Sequence, residues 1–439
     1  MQFMFKILLE ENPKMKKNLF TVWSVLAIFA LVLTACATPT TEAPKPTAVP
    51  PTAAPAATAA PKPTEAPKPT EAPKPVGIKG EVTLWHGYST GSAEETTLAK
   101  IVAAVKTKNP DLKLNVLQVP FDKLFDKYKT EVASGAGPDM FVAPNDDLGN
   151  LARGKLILDV TKQLDGKLGD FAANSVDGMK VDGKIYGVPE SAKAVALYYN
   201  KSLIDKAPTT TDELLAAVKG GKSLNLFIGA YHDYGFFGSF GGKLLDDSQK
   251  CVLDTTGGTD AMQYLLDLKK AGAALEADYG KFETPFRQGK VAMMVNGPWA
   301  LGDYKKDLGD KLGVVSMPTG AKGKASPLNG IDGFYVNPNV KNVDLVVATA
   351  LELVSKVSSQ MYTDGAGHVP IRKDVTSADP LVAAFAKASA DGFARPQSKE
   401  FGNYWEPFGN MFTKVLEGKS TPADGVKEAC GLMNKANGK

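Results

Sequence analysis

Gly289-Lys290-Val291-Ala292-Met293-Met294-Val295-Asn296-Gly297-Pro298-Trp299 carries the clearest local signal in this chain. Five apolar residues run from Val291 to Val295, and Asn-Gly-Pro stops them. Such a run reads as a buried strand that ends in a sharp turn. Pro298 has no N–H with which to extend a ladder, so the chain leaves the sheet there. Trp299 lies just past the strand, where a helix begins. In open α/β sheets, ligands bind beyond the carboxyl ends of strands. The indole is therefore either a platform for a ligand's apolar face or a core residue closing the helix.

Upstream, Glu81 to His86 reads as a strand, and Ser92 with Glu95 three residues on as a capping box opening a helix to about Lys108. Leu112–Val119 is a second strand, Phe121–Ala133 a helix, and Met140–Ala143 a third strand with Asn145-Asp146-Asp147 behind it. This βαβαβ order predicts a parallel sheet with right-handed crossovers. Lys184–Val188, Ala194–Tyr199 and Leu224–Ile228 read as further strands, the last ending at Gly229-Ala230-Tyr231-His232. Helices are expected over 211–219 and 259–271. Beyond the opening stretch come strands at 313–316 and 333–336 and a helix over 343–355. From Pro380 the chain reads as helices and loops. Strands and helices alternate twice, which predicts an α/β protein of two lobes. At 439 residues the chain is too long for one ordinary core.

The first 79 residues are of a different kind. Lys16 and Lys17 precede an apolar stretch, Leu19 to Leu33, that meets Leu33-Thr34-Ala35-Cys36. A basic start, a short apolar core and small residues describe an export signal with its start at Met15. The stretch is short for a membrane span. Its ending resembles a bacterial lipobox, which implies a lipidated Cys36. Residues 36–79 are almost all Pro, Thr, Ala, Lys and Glu, and Thr-Glu-Ala-Pro-Lys-Pro occurs three times. This composition cannot bury enough apolar surface to fold, and extended polyproline would give it a reach on the order of 100 Å.

Net charge is +3, and no basic patch points to nucleic acid. No metal-ligand spacing or Gly-rich phosphate loop is present, and no cofactor is expected. His86, His232 and His368 read as loop or cleft-edge residues. Cys251 and Cys430 are either a disulfide or two buried thiols.

Several segments together resemble the extracellular solute-binding proteins of ABC sugar importers, the maltodextrin-binding group in particular. They are Glu81–Gly87, Ala133–Phe141, Asp182–Pro189 with Leu197–Lys201, and Phe286–Met293 running on to Asn296–Trp299. The resemblance implies a hinged, two-lobed fold, each lobe a doubly wound sheet. One lobe would hold 80–190 with 332–378, the other 194–329 with 380–439. A sugar would lie between them, and an ABC permease in the membrane would receive it. A lipid-anchored, extracytoplasmic monomer is expected.

The resemblance also implies site residues. Asn145 and Asp146 fall where the family places a carboxylate on sugar hydroxyls, or else they form a solvated turn. Tyr231, Trp299 and Trp405 match stacking aromatics. Ser89 lies in the first strand–helix turn and could donate to ligand. Lys193 stands where related proteins often carry Glu, as do Gly229 and Gly409 for an acid and an arginine, so the sugar's identity is open. Lys193 either meets a ligand's acceptors or pairs with Glu190 at the rim.

Other functions compete with this one. Gly87-Tyr88-Ser89-Thr90-Gly91 fits Gly-x-Ser-x-Gly, the turn that presents a serine nucleophile in α/β hydrolases. Upstream, though, there is only stalk and no strand to build its oxyanion hole. A glycosidase would need two carboxylates across the cleft, for which Asp146 and Glu190 are candidates. A surface or adhesion lipoprotein is the third alternative.

Overall fold

The computed structural model describes residues 77–439. The export signal, Cys36 and the proline-rich stretch lie outside them.

β1 (Gly80–His86), β2 (Leu112–Gln118) and β3 (Met140–Pro144) run parallel, with β1 between the other two. The helices Ala93–Lys108 and Phe121–Ala133 make the crossovers. A short hairpin, β4 (Lys180–Val181) with β5 (Lys184–Ile185), precedes β6 (Gly187–Lys193). Asp182 and Gly183, both at positive φ, turn the hairpin; the single strand expected at 184–188 is split at Tyr186, whose N–H leaves the ladder and donates to Met179 O at 3.0 Å.

The chain then passes through Ala194-Val195 into a second sheet. This holds β7 (Ala196–Asn200), β8 (Leu224–Phe227), β9 (Ala274–Glu276), β10 (Met293–Asn296) and β11 (Leu312–Val315), in the order β11-β7-β10-β8-β9. It returns through β12 (Leu328–Val336), which lies between β3 and β6. β13 (Val369–Pro370) pairs with β6, and β14 (Phe393–Ala394) pairs with the start of β12.

Each sheet carries one lobe, so the two-lobed α/β architecture expected from the sequence is present. Neither sheet is purely parallel, however. β12 is antiparallel to β3 and β6, and β7 is antiparallel to β10 and β11. These are the strands that adjoin the passages between lobes, and a chain entering from the other lobe has no crossover helix to turn it.

One buried apolar cluster fills the first lobe around Leu84, Phe141 and Phe334 and runs on to Tyr198 and Met294 of the second sheet, while the other gathers around Leu226, Phe237 and Phe408. Trp299 packs against both. Cys251 and Cys430 are disulfide-bonded, with Sγ–Sγ at 1.96 Å. The bond ties the loop before the helix Gly258–Ala271 to the C-terminal helix Pro422–Ala436. Asn434 supports it by accepting from Cys251 N at 2.7 Å and donating to Cys251 O at 3.2 Å. Among the described residues no helix is long and apolar enough to cross a membrane.

Candidate functional site

Asn296-Gly297-Pro298-Trp299 sets the orientation of the indole residue by residue. Asn296 ends β10 fully buried, and its Nδ2 donates to Tyr304 Oη at 2.8 Å and Tyr279 Oη at 3.0 Å. Gly297 leaves room for the ring: a Cβ there would lie 1.9 Å from Trp299 Cζ3. Pro298 opens a short 3-10 turn, where its missing N–H costs nothing. The indole Nε1 donates to Tyr279 Oη at 2.9 Å. The ring is therefore locked at its polar edge while part of it stays exposed.

That exposed part borders a cavity of about 220 Å³ between the lobes. One wall is the turn after β1 and the start of the first helix: Ser89, Thr90, Gly91, Ser92 and Glu94. The other is Trp299 with Tyr279, Glu283, Arg287 and Asp303. Ser92 caps the helix by accepting from Glu95 N at 3.2 Å, and the Glu95 carboxylate accepts from Gly91 N at 2.6 Å. The walls touch at one end, where Ala93 N donates to Asp303 Oδ1 at 3.1 Å.

Behind this cavity is a buried charge cluster. Lys193 Nζ lies 2.7 Å from Glu94 Oε1 and 2.9 Å from Asp332 Oδ2. His368 donates from Nε2 to Glu94 Oε1 at 2.7 Å and from Nδ1 to Glu190 Oε1 at 2.9 Å. A neutral imidazole has one N–H, so serving two carboxylates requires the charged ring. Burial is the largest influence and opposes that charge, but the Glu190 charge and the hydrogen bonds to Glu190 and Glu94 together raise His368 to about 9. Burial would raise Glu94, yet Lys193 and then His368 hold it down to about 2. Burial raises Asp332 to about 6 even with Lys193 against it. The ring of Tyr362 lies flat on His368 at 5.0 Å.

The residues expected to bind ligand fall into two linked groups. Ser89 and Trp299 line the cavity. Asn145, Asp146, Tyr231 and Trp405 gather around Arg395, whose guanidinium lies over the Tyr231 and Trp405 rings. Tyr231 joins the two groups, its ring centroid 6.0 Å from that of Trp299. Its hydroxyl donates to Lys193 O at 3.1 Å. Asn145 is buried and its amide is committed to the framework, donating to Gly178 O at 2.9 Å and accepting from Ile331 N at 3.1 Å. Asp146 is paired with Arg395. Lys193 is not at the rim and does not pair with Glu190; it is spent on Glu94 and Asp332.

Among the described residues no hydrogen bond joins the Ser89 hydroxyl to a histidine, as a serine nucleophile requires. Asp146 and Glu190 do not line the cavity. All three histidines are buried rather than at a cleft edge.

Sequence reasoning missed Glu94, Asp332 and Arg395. The first two sit among 48 acids with no local pattern to mark them. Arg395 had a faint signal, being one of four arginines among 51 basic residues and standing before a proline.

Two α/β lobes, joined by crossing strands and enclosing a cavity between them, define the class of hinged ligand-binding proteins. Residues 100–390 match the family model described as bacterial extracellular solute-binding protein, and the chain belongs to that family. A maltotriose-binding protein of Pyrococcus abyssi is 25% identical over 362 residues, 77% of this chain and 78% of that one. A maltooligosaccharide ABC transporter solute-binding lipoprotein of Streptococcus pneumoniae is 24% identical over 336 residues, 71% of this chain and 79% of that one. The solved Thermus thermophilus maltotriose binding protein, bound with maltotriose, superposes with a TM-score of 0.74 at 28% identity, over 81% of this chain and all of that one.

Proposed function

We propose that this protein is the sugar-capturing subunit of an ABC importer, and that its lobes close on a saccharide which it hands over unchanged. The observation that carries the reading is the partly exposed Trp299 ring opposite Ser89, Thr90, Ser92 and Glu94. A sugar ring has an apolar C–H face and an equatorial belt of hydroxyls. Indole takes the first without asking for a hydrogen bond, and hydroxyls and a carboxylate take the second. The names of the relatives point the same way.

Ligand would draw the lobes together because it touches both walls, and only such a preference can shift an open–closed balance. We take residues 80–190 with 332–378, and 194–329 with 380–439, as the lobes. We further propose that Cys36 carries lipid, that residues 37–79 form a stalk, and that the protein works as a monomer outside the cytoplasm against a membrane permease. The lipoprotein relative supports the anchor.

A thermal-shift screen of mono- and oligosaccharides tests the reading, since a ligand that binds only the folded form raises Tm with concentration. At least one neutral saccharide is expected to do so. A shift with amino acids or peptides and with no saccharide would contradict it.

A further inference from the structure

Tyr279 holds two neighbours in place and has one hydrogen left over. Its hydroxyl oxygen accepts from Asn296 Nδ2 at 3.0 Å and from Trp299 Nε1 at 2.9 Å. The sense of the first bond is fixed, because Asn296 Oδ1 accepts from Gly297 N at 2.9 Å and leaves the amide nitrogen facing the phenol. The sense of the second is fixed by chemistry, since an indole nitrogen can only donate. A phenol oxygen has two lone pairs and one proton. Both lone pairs are taken, so toward any further partner Tyr279 acts as a donor. Burial raises its pKa, which keeps the proton in place. Among the described residues no group accepts that proton, Glu283 one turn along the same helix included.

The hydroxyl is held firmly beside the ligand space. Tyr279 opens the helix Tyr279–Arg287, whose first turn Asp278 caps by accepting from Lys281 N at 2.9 Å. Its ring centroid lies 5.6 Å from those of Phe227 and Phe282. The residue borders the cavity next to Trp299. Its hydroxyl marks the N–H edge of the indole, where a sugar stacked on that ring would bring its rim oxygens.

The rest of the lining makes a donor there useful. Glu94, Glu283 and Asp303 also face the cavity, and when ionised they only accept. Sugar hydroxyls serve them by donating. Arg287, the one charged donor of the lining, is engaged by Asp307 at 2.6 Å. A sugar oxygen that must accept therefore needs a partner such as Tyr279.

We propose that Tyr279 contacts the ligand itself, donating its O–H to an acceptor oxygen of the sugar stacked on Trp299. This rests on the sugar-binding reading and adds a residue that reads one oxygen of the ring.

The test is calorimetric titration of the intact wild type and Tyr279→Phe with glucose, galactose, maltose and lactose. Each sugar is accompanied by its monodeoxy analogues and by one with sulfur in place of the ring oxygen. Tyr279→Phe keeps the ring and is expected to lose about tenfold for the parent sugar. One analogue is expected to lose about tenfold in wild type and less than about threefold further in Tyr279→Phe, because the hydrogen bond is already gone. A loss of equal size for every sugar and analogue would mean that Tyr279 acts only by holding Trp299, and would overturn the contact. Unchanged affinity would overturn it too. If Tyr279→Phe does not fold, a crystal structure of wild type with the tightest of the four sugars decides. Tyr279 Oη within about 3.2 Å of a sugar oxygen supports the contact, and a longer separation overturns it. Binding of no saccharide at all would instead sink the sugar reading, and this contact with it.

Discussion

Lys193 Nζ and Glu94 Oε1 are 2.7 Å apart, and both side chains are more than nine-tenths buried. Lys193 ends β6, where the chain crosses between lobes, and Glu94 lines the cavity. One residue of the cavity wall is thus held by another at the hinge. Through His368 the same carboxylate reaches Glu190, so one oxygen of Glu94 collects two cations.

Removing that carboxylate leaves Lys193 and His368 undercompensated in a dry site. Breaking a buried ion pair from one side typically costs about 3–5 kcal/mol. Glu94→Gln keeps the shape and is expected to lose about 3 kcal/mol in urea unfolding. A change smaller than about 1 kcal/mol would mean that solvent screens the pair.

The cluster also sets a pH dependence. His368 has a folded pKa of about 9, raised above the ordinary 6.5. Its contribution is therefore complete below about pH 6.5 and is lost as pH rises through 9, worth up to about 3 kcal/mol. Asp233, raised by burial to about 8, acts in the same sense. Melting temperature is expected to fall between pH 6.5 and 9.5, with a smaller slope in His368→Gln. Equal slopes in the two proteins would exclude His368 as the cause.

Much of the first lobe was legible because its strands are local objects. Glu81–His86, Leu112–Val119 and Met140–Ala143 alternate or run apolar between turn residues, and they pair as expected. Asn-Gly-Pro-Trp likewise contains its own geometry, in the missing Cβ of Gly297 and the missing N–H of Pro298. The charge cluster was not legible. Lys193 finds Glu94 from 99 positions away and Asp332 from across the second crossing, and no spacing rule joins them. Arg395 was overlooked for the same reason: what marks it is Gly330 beneath and Asp146 beside it, both brought there by β12 and β3.

A second glycine lies at a close approach between the lobes. A Cβ on Gly302 would lie 2.5 Å from Ala93 Cβ and 3.0 Å from Gly365 O, where the helix Leu301–Leu308 packs on the first lobe. Gly302→Val is expected to hold the lobes apart, raise the radius of gyration in small-angle scattering and weaken ligand about tenfold. An unchanged radius with unchanged affinity would show that this contact does not govern closure.

The most direct test of the central claim, that a sugar stacks on Trp299 in the cleft, is calorimetric titration of wild type and Trp299→Ala with the saccharide giving the largest thermal shift. Loss of the indole platform is expected to cost about 1–3 kcal/mol, roughly 5- to 150-fold in Kd, at an unchanged fold. Equal affinity in the two proteins would contradict it.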